Sequence, residues 1–129
     1  MTGSQKPVVR IVDDDASVCR ALQRLLRSAG LEAETYVSCQ ALLESPELGS
    51  STCLIVDIRM QGMGGLELPE MLKARGLTVP IIFITGFDTP ETREQAHRAG
   101  ASAYFRKPVD DQALIDAIQW AMAGNKPVS

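Results

Sequence analysis

The sequence predicts a doubly wound α/β fold, a five-stranded parallel sheet with helices on both faces. Three observations predict it. Short β-branched runs alternate five times with segments of helical spacing. The strongest run, Leu54-Ile55-Val56, is apolar at consecutive positions, as expected of a strand covered on both faces. Turn formers punctuate the segments, with Gly30 and Gly100 closing helices and Pro90 opening one. Connections of this length imply right-handed crossovers.

At 129 residues the chain fits one domain with a real core. A hydrophobic fraction of 45% argues against global disorder, and a formal net charge of -3 offers no footprint for nucleic acid. Cys19, Cys39 and Cys53 are scattered, which fits buried thiols in a reducing cytosol better than a disulfide framework or a zinc site. No apolar run reaches membrane-spanning length, and Met1 to Pro7 lacks a signal-peptide core. The expected organisation is a flexible N-terminus over residues 1–7, a domain over 8–123, and a tail or linker start over 124–129, in a cytoplasmic protein.

Val8 to Val12 is a β-branched run stopped by Asp13, Asp14 and Asp15. Ala16 to Ala29 carries Val18, Leu22, Leu25, Leu26 and Ala29 on one helical face, and Asp15 suits its N-cap. Glu32 to Tyr36 is a more polar strand suited to a sheet edge. Ser38 caps a short helix through Leu43, before Ser45-Pro46 breaks it. The strand at Leu54 then ends on Asp57, whose charge belongs at the strand's mouth rather than inside it.

A glycine-dense loop follows, and Leu66 to Ala74 is helical in spacing, with a late or distorted start at Pro69. Pro80 to Thr85 is a buried strand ending on a hydroxyl. Thr89 to Ala99 is a polar helix whose only apolar support is Ala96 and Ala99, so it should be loosely held. Ala103 to Arg106 is the fifth strand, and Asp110 caps a last helix bearing Leu114, Ile115, Ile118, Ala121 and Met122.

In such folds ligands bind beyond the carboxyl ends of the strands. Asp13, Asp14, Asp57, Thr85 and Lys107 all fall there. Carboxylates gathered together repel, and a hard divalent cation with oxygen ligands, such as Mg²⁺, relieves the repulsion. A cation beside a carboxylate, faced by an ammonium and a hydroxyl, suits phosphoryl oxygens, and the carboxylate itself can act as nucleophile.

These residues carry a resemblance. Ile11-Val12-Asp13-Asp14, Leu54-Ile55-Val56-Asp57, Thr85-Gly86 and Lys107-Pro108, in this order and spacing, resemble the response-regulator receiver domain of two-component signal transduction, and more narrowly the FixJ type. The resemblance implies strand order 2-1-3-4-5 in a flavodoxin-like receiver fold. It implies that Asp57 accepts a phosphoryl group from a sensor histidine kinase. Asp14 would bind the Mg²⁺ directly, Asp13 through water, and Arg59 through its backbone carbonyl. Thr85 would bond a phosphoryl oxygen, Lys107 would pair with the acyl phosphate, and the Lys107-Pro108 bond would be cis. Tyr104 matches an aromatic switch whose rotamer follows Thr85, although it reads equally as edge packing.

The resemblance makes Arg59 and Phe87 the positions that tune hydrolysis. Phe87 is bulky and apolar, and Arg59 stays protonated, so neither activates water. The implied output surface is the fourth helix, fifth strand and fifth helix, across residues 89–123, open to a homodimer or another partner. A DNA-binding output domain would normally follow in the full-length protein. Gln61 and Gly64 depart from the family pattern, and an added glycine should widen the conformations open to that loop.

The same residues admit other readings. An aspartyl-nucleophile phosphatase usually needs a second acid two residues after the nucleophile, where this chain has Arg59. A scaffold without chemistry would not need the complete set of five site residues. His97 reads as a solvated side chain rather than a phosphodonor, Arg106 as solvated, and Trp120 as cover for the core flank of the last helix or else an anchor for a partner.

Overall fold

The computed structural model describes residues 7–60 and 62–124. Most of the expected N-terminal and C-terminal extensions, and Gln61, lie outside the described residues. The chain runs β1 (Val8–Val12), α1 (Ala16–Ser28), β2 (Glu32–Tyr36), α2 (Cys39–Leu43), β3 (Cys53–Asp57), α3 (Leu68–Ala74), β4 (Ile81–Thr85), α4 (Pro90–Arg98), β5 (Ala103–Arg106) and α5 (Asp111–Met122). Single 3-10 turns stand at Leu48–Ser50 and Gly65–Glu67.

All strand pairs are parallel, in the order β2-β1-β3-β4-β5. The switch in order therefore falls between β1 and β3, where a crevice forms at the carboxyl ends. Every residue of β3 and of β4 is buried. Alternate side chains feed two cores. Val9, Ile11, Ile55, Ile82 and Ile84 pack with α1 and α5, while Val12, Leu54, Val56 and Phe83 pack with α2, α3 and α4. Burying both faces makes the sheet a stiff platform whose carboxyl edge is held from below.

The caps are local and follow the sequence. Asp15 accepts from the Ser17 and Val18 amides, Ser38 from Ala41, Thr89 from Thr92 and Asp110 from Ala113. Gly30 and Gly100 take the positive φ that ends α1 and α4. The late start expected around Pro69 is seen: the 3-10 turn occupies Gly65–Glu67, and the α-helix begins only at Leu68. Pro69 then sits in the first turn, where a missing N–H is harmless. α4 buries Ala96 alone, in keeping with its polar composition. The cysteine thiols are all free and buried, and burial pushes Cys39 up to about 11 and Cys53 up to about 12.

β1 holds a charged residue among its β-branched ones. Arg10, in the middle of the strand, is 0% exposed. It pairs in register with Glu34 of β2, and its Nη2 lies 3.2 Å from Glu34 and 3.6 Å from Glu47. Nε donates to the Tyr36 hydroxyl at 3.2 Å and Nη1 to Ser51 Oγ at 2.8 Å. Nη2 itself makes no well-directed hydrogen bond, so that end of the charge is neutralised by proximity alone. Arg10 thereby ties the edge strand and the α2–β3 connection to the sheet centre.

Replacing it separates packing from charge. Arg10→Ala should cost about 3 kcal/mol, by lost hydrogen bonds and a cavity. Arg10→Met should cost less than half as much, because volume is kept and the two exposed glutamates are rehydrated. Urea unfolding of the two variants checks this; equal losses would assign the stability to the charge rather than to packing.

Candidate functional site

Three elements of the buried sheet deliver the site. Asp13 follows β1 directly, Asp57 is the last residue of β3, and Lys107 follows β5 directly. The Lys107 ammonium donates to Asp13 Oδ2 at 2.8 Å and to Asp57 Oδ2 at 3.2 Å. Both carboxylates are buried, Asp13 at 0% and Asp57 at 5% exposure. Asp14 points outward, yet donor oxygens of Asp13, Asp14 and Asp57 all lie within 4.8 Å of one another.

Each carboxylate is also held by backbone. Asp13 Oδ1 accepts from the Asp15 amide at 2.9 Å, and Asp57 Oδ1 accepts from the Arg59 amide at 3.1 Å. Behind β3, Gly65 packs its α-carbon against the Asp57 carbonyl and the Val56 side chain so tightly that any Cβ would collide with them. This close approach lets the 3-10 turn close on the strand through the bond from Gly65 N–H to Ile58 O, 3.0 Å. Nothing in a glycine-dense loop distinguishes that glycine beforehand. Gly64, expected to loosen the loop, adopts φ -75 and donates to Glu67 Oε2 at 2.8 Å, so its freedom is taken up by a bond.

Burial, and then the neighbouring Asp13 charge, push the Asp57 carboxyl above the usual carboxylate range, against the lowering by the Arg59 amide and Lys107. Burial pulls the Lys107 ammonium down, but hydrogen bonding and charge from Asp13 and Asp57 outweigh it and leave it raised. The site is therefore a compressed anionic pair held by one cation.

Thr85 ends β4, fully buried. Its hydroxyl accepts from the Phe87 amide at 3.0 Å and donates to the Phe87 carbonyl at 3.2 Å. Arg59 and Phe87 are both solvent-facing and meet, with the guanidinium 4.5 Å from the ring centroid. Tyr104, in register with Phe83, donates its hydroxyl to Asp88 Oδ1 at 2.9 Å. Trp120 does not cover the core as expected. It is 41% exposed and lines a groove of about 320 Å³ with Arg93, His97 and Tyr104. His97 and Arg106 are exposed, as expected, and the Lys107-Pro108 bond is cis.

The carboxylates supply only hard oxygen donors, clustered at a crevice mouth with one member solvent-facing. That donor set fits an oxygen-seeking divalent cation and fits a soft metal poorly. Beside it, an ammonium and a hydroxyl are available to anionic oxygens.

A doubly wound sheet in this order, with acids after β1 and β3 and a lysine after β5, defines a receiver domain. The response regulator receiver domain family matches residues 9–119, and the chain belongs to that family. Transcriptional regulatory protein TdiR of Thauera aromatica is 35% identical over 128 residues, 99% of this chain and 56% of that protein. Transcriptional regulatory protein FixJ of Azorhizobium caulinodans is 36% identical over 111 residues, 86% of this chain and 53% of that protein. The crystal structure of FixJ-N superposes with a TM-score of 0.83 at 31% identity, covering 97% of this chain and 100% of that one. The chain spans about half the length of these curated relatives. It is a receiver domain of two-component response regulators, a signalling module rather than a turnover enzyme. No helix among the described residues is long and apolar enough to cross a membrane.

The raised Asp57 carboxyl has a consequence for stability. The folded state holds that proton more tightly than the unfolded chain, so its stabilising share is full below the ordinary carboxylate range and is lost as pH rises through the raised value. Asp57→Asn should therefore melt about 2–5 °C above wild type at pH 8 in a chelating buffer. The gap should close as pH falls into the carboxylate range. Thermal circular dichroism across this range measures it, and a gap that widens on acidification contradicts the assignment.

Proposed function

We propose that Asp57 is the phosphoacceptor of a two-component pathway, loaded by a sensor histidine kinase. The observation that carries this reading is the Lys107 ammonium seated between Asp13 and Asp57 at the carboxyl edge of the sheet. An Asp57 carboxylate oxygen attacks phosphorus, the new O–P bond forms, and the bond to the donor imidazole breaks. Lys107, already beside Asp57 Oδ2, moves its charge onto the phosphoryl oxygens. Asp13 keeps that ammonium protonated and in place.

Mg²⁺, held by Asp13, Asp14, Asp57 and the Arg59 carbonyl, would neutralise phosphoryl charge during transfer. Thr85 would exchange its bonds to Phe87 for one to a phosphoryl oxygen. Tyr104 would follow, altering the surface made by α4, β5 and α5. This is the face, residues 89–123, offered to a second copy or another partner, and its groove at Arg93, Tyr104 and Trp120 supports that use. The names of TdiR and FixJ support a transcriptional readout, through a DNA-binding output domain in the full-length protein.

Incubation with Mg²⁺ and acetyl phosphate should add one phosphoryl group, located at Asp57 by mass spectrometry. Chelation or Asp57→Asn should abolish the gain. Undiminished labelling of Asp57→Asn would remove this reading.

The lifetime of the phosphoryl group depends on water reaching it in line. The Arg59–Phe87 stack would cover that approach with a ring and a permanent cation, neither of which orients an attacking water. The phosphoprotein should decay slowly, and Phe87→Glu or Arg59→Asn should speed its decay several-fold. First-order loss of phosphate in excess Mg²⁺ reports this; equal or slower decay in both variants would show that the stack guards nothing.

A further inference from the structure

Asp88 lies three residues beyond Thr85, between the site and α4. It is not the cap of that helix, since Thr89 accepts the Thr92 amide. Its side chain is 13% exposed and is committed instead to two partners. Oδ1 accepts the Tyr104 hydroxyl, and Oδ2 accepts from Arg93. The Arg93 guanidinium in turn stands 5.8 Å from the Tyr104 ring centroid. One carboxylate thus ties the β4–α4 loop, the first turns of α4 and β5 together.

The same loop is tied to Thr85. Its hydroxyl both accepts from and donates to the Phe87 backbone, one residue before Asp88. For that hydroxyl to bond a group on Asp57, its bonds to Phe87 must break, which frees the backbone next to Asp88. For Tyr104 to turn inward, its bond to Asp88 must break. Both motions meet at Asp88. We propose that the Asp88 carboxylate is a lock that holds the resting arrangement of Thr85 and Tyr104, so that its release is the step coupling the site to the α4–β5–α5 face. This rests on the phosphoacceptor role given above to Asp57.

The lock does not titrate at physiological pH. Hydrogen bonds from Tyr104 and then Arg93 hold Asp88 below the usual carboxylate range, and burial, then Asp88, push Tyr104 up to about 12. Only a change in bonding releases it. A two-state element of this kind sets the intrinsic affinity for whatever favours its released form.

Affinity for Mg²⁺-dependent beryllofluoride, a mimic of the phosphoryl group, measured by calorimetry, tests the lock. Asp88→Asn and Tyr104→Phe should each bind it roughly five- to ten-fold more tightly than wild type, the scale of a modest coupling between sites. The double variant should bind no more tightly than the better single one, because both remove the same tie. Arg93→Lys should behave as wild type, and Arg93→Ala should tighten binding less than Asp88→Asn. A merely structural contact would lower the melting temperature without tightening anything. Wild-type binding matched or exceeded in strength over Asp88→Asn overturns the lock alone; if that variant does not fold, Tyr104→Phe decides in its place. Failure of wild type itself to bind the mimic overturns the phosphoacceptor reading, and the lock with it.

Discussion

The ammonium of Lys107 is the contact on which the site depends. Two buried carboxylates, Asp13 and Asp57, both reach it with one oxygen, and without it they would face one another uncompensated at the end of an apolar sheet. The partners are 94 and 50 residues away along the chain. Only the parallel register of β1, β3, β4 and β5 brings them together. Fold and site are in this sense one arrangement: the sheet order creates the crevice, and the charge pattern at its mouth is stable only because β5 places a cation there.

Rigidity below the crevice permits this strain in charge above it. β3 and β4 are buried along their whole length, and Gly65 lets a turn press directly against the end of β3. Mobility is left to the upper connections. α4 buries a single alanine, and its N-terminal turn is joined to the sheet through polar contacts at Asp88. A stiff carboxyl edge beside a lightly held helix is the distribution of stability that the proposed switch requires.

Polar groups inside the domain follow one rule in two places. Arg10 and Asp88 are each charged, largely enclosed, and bonded to a tyrosine and to an oppositely charged side chain. Arg10 fixes the β2 edge, at the opposite side of the sheet from β5. Asp88 fixes the β4–α4 loop. The first is linked to four side chains at 0% exposure, and the second to two partners near the surface, so the second is the easier to release.

By itself the sequence determined the five strands and five α-helices, the caps at Asp15, Ser38 and Asp110, and the residues at the carboxyl edge of the sheet. Periodicity and capping are properties of a few neighbouring residues, so they survive in a linear reading. What only tertiary structure decided was how polar side chains are partnered. Arg10 stands in a β-branched run, and its partners Tyr36 and Ser51 are 26 and 41 residues away. The Arg59–Phe87 stack, the exposure of Trp120 and the tie from Asp88 to Tyr104 have the same origin. A local pattern states which face a residue occupies. What meets it on that face is set by the register of distant strands, which no neighbouring residue encodes.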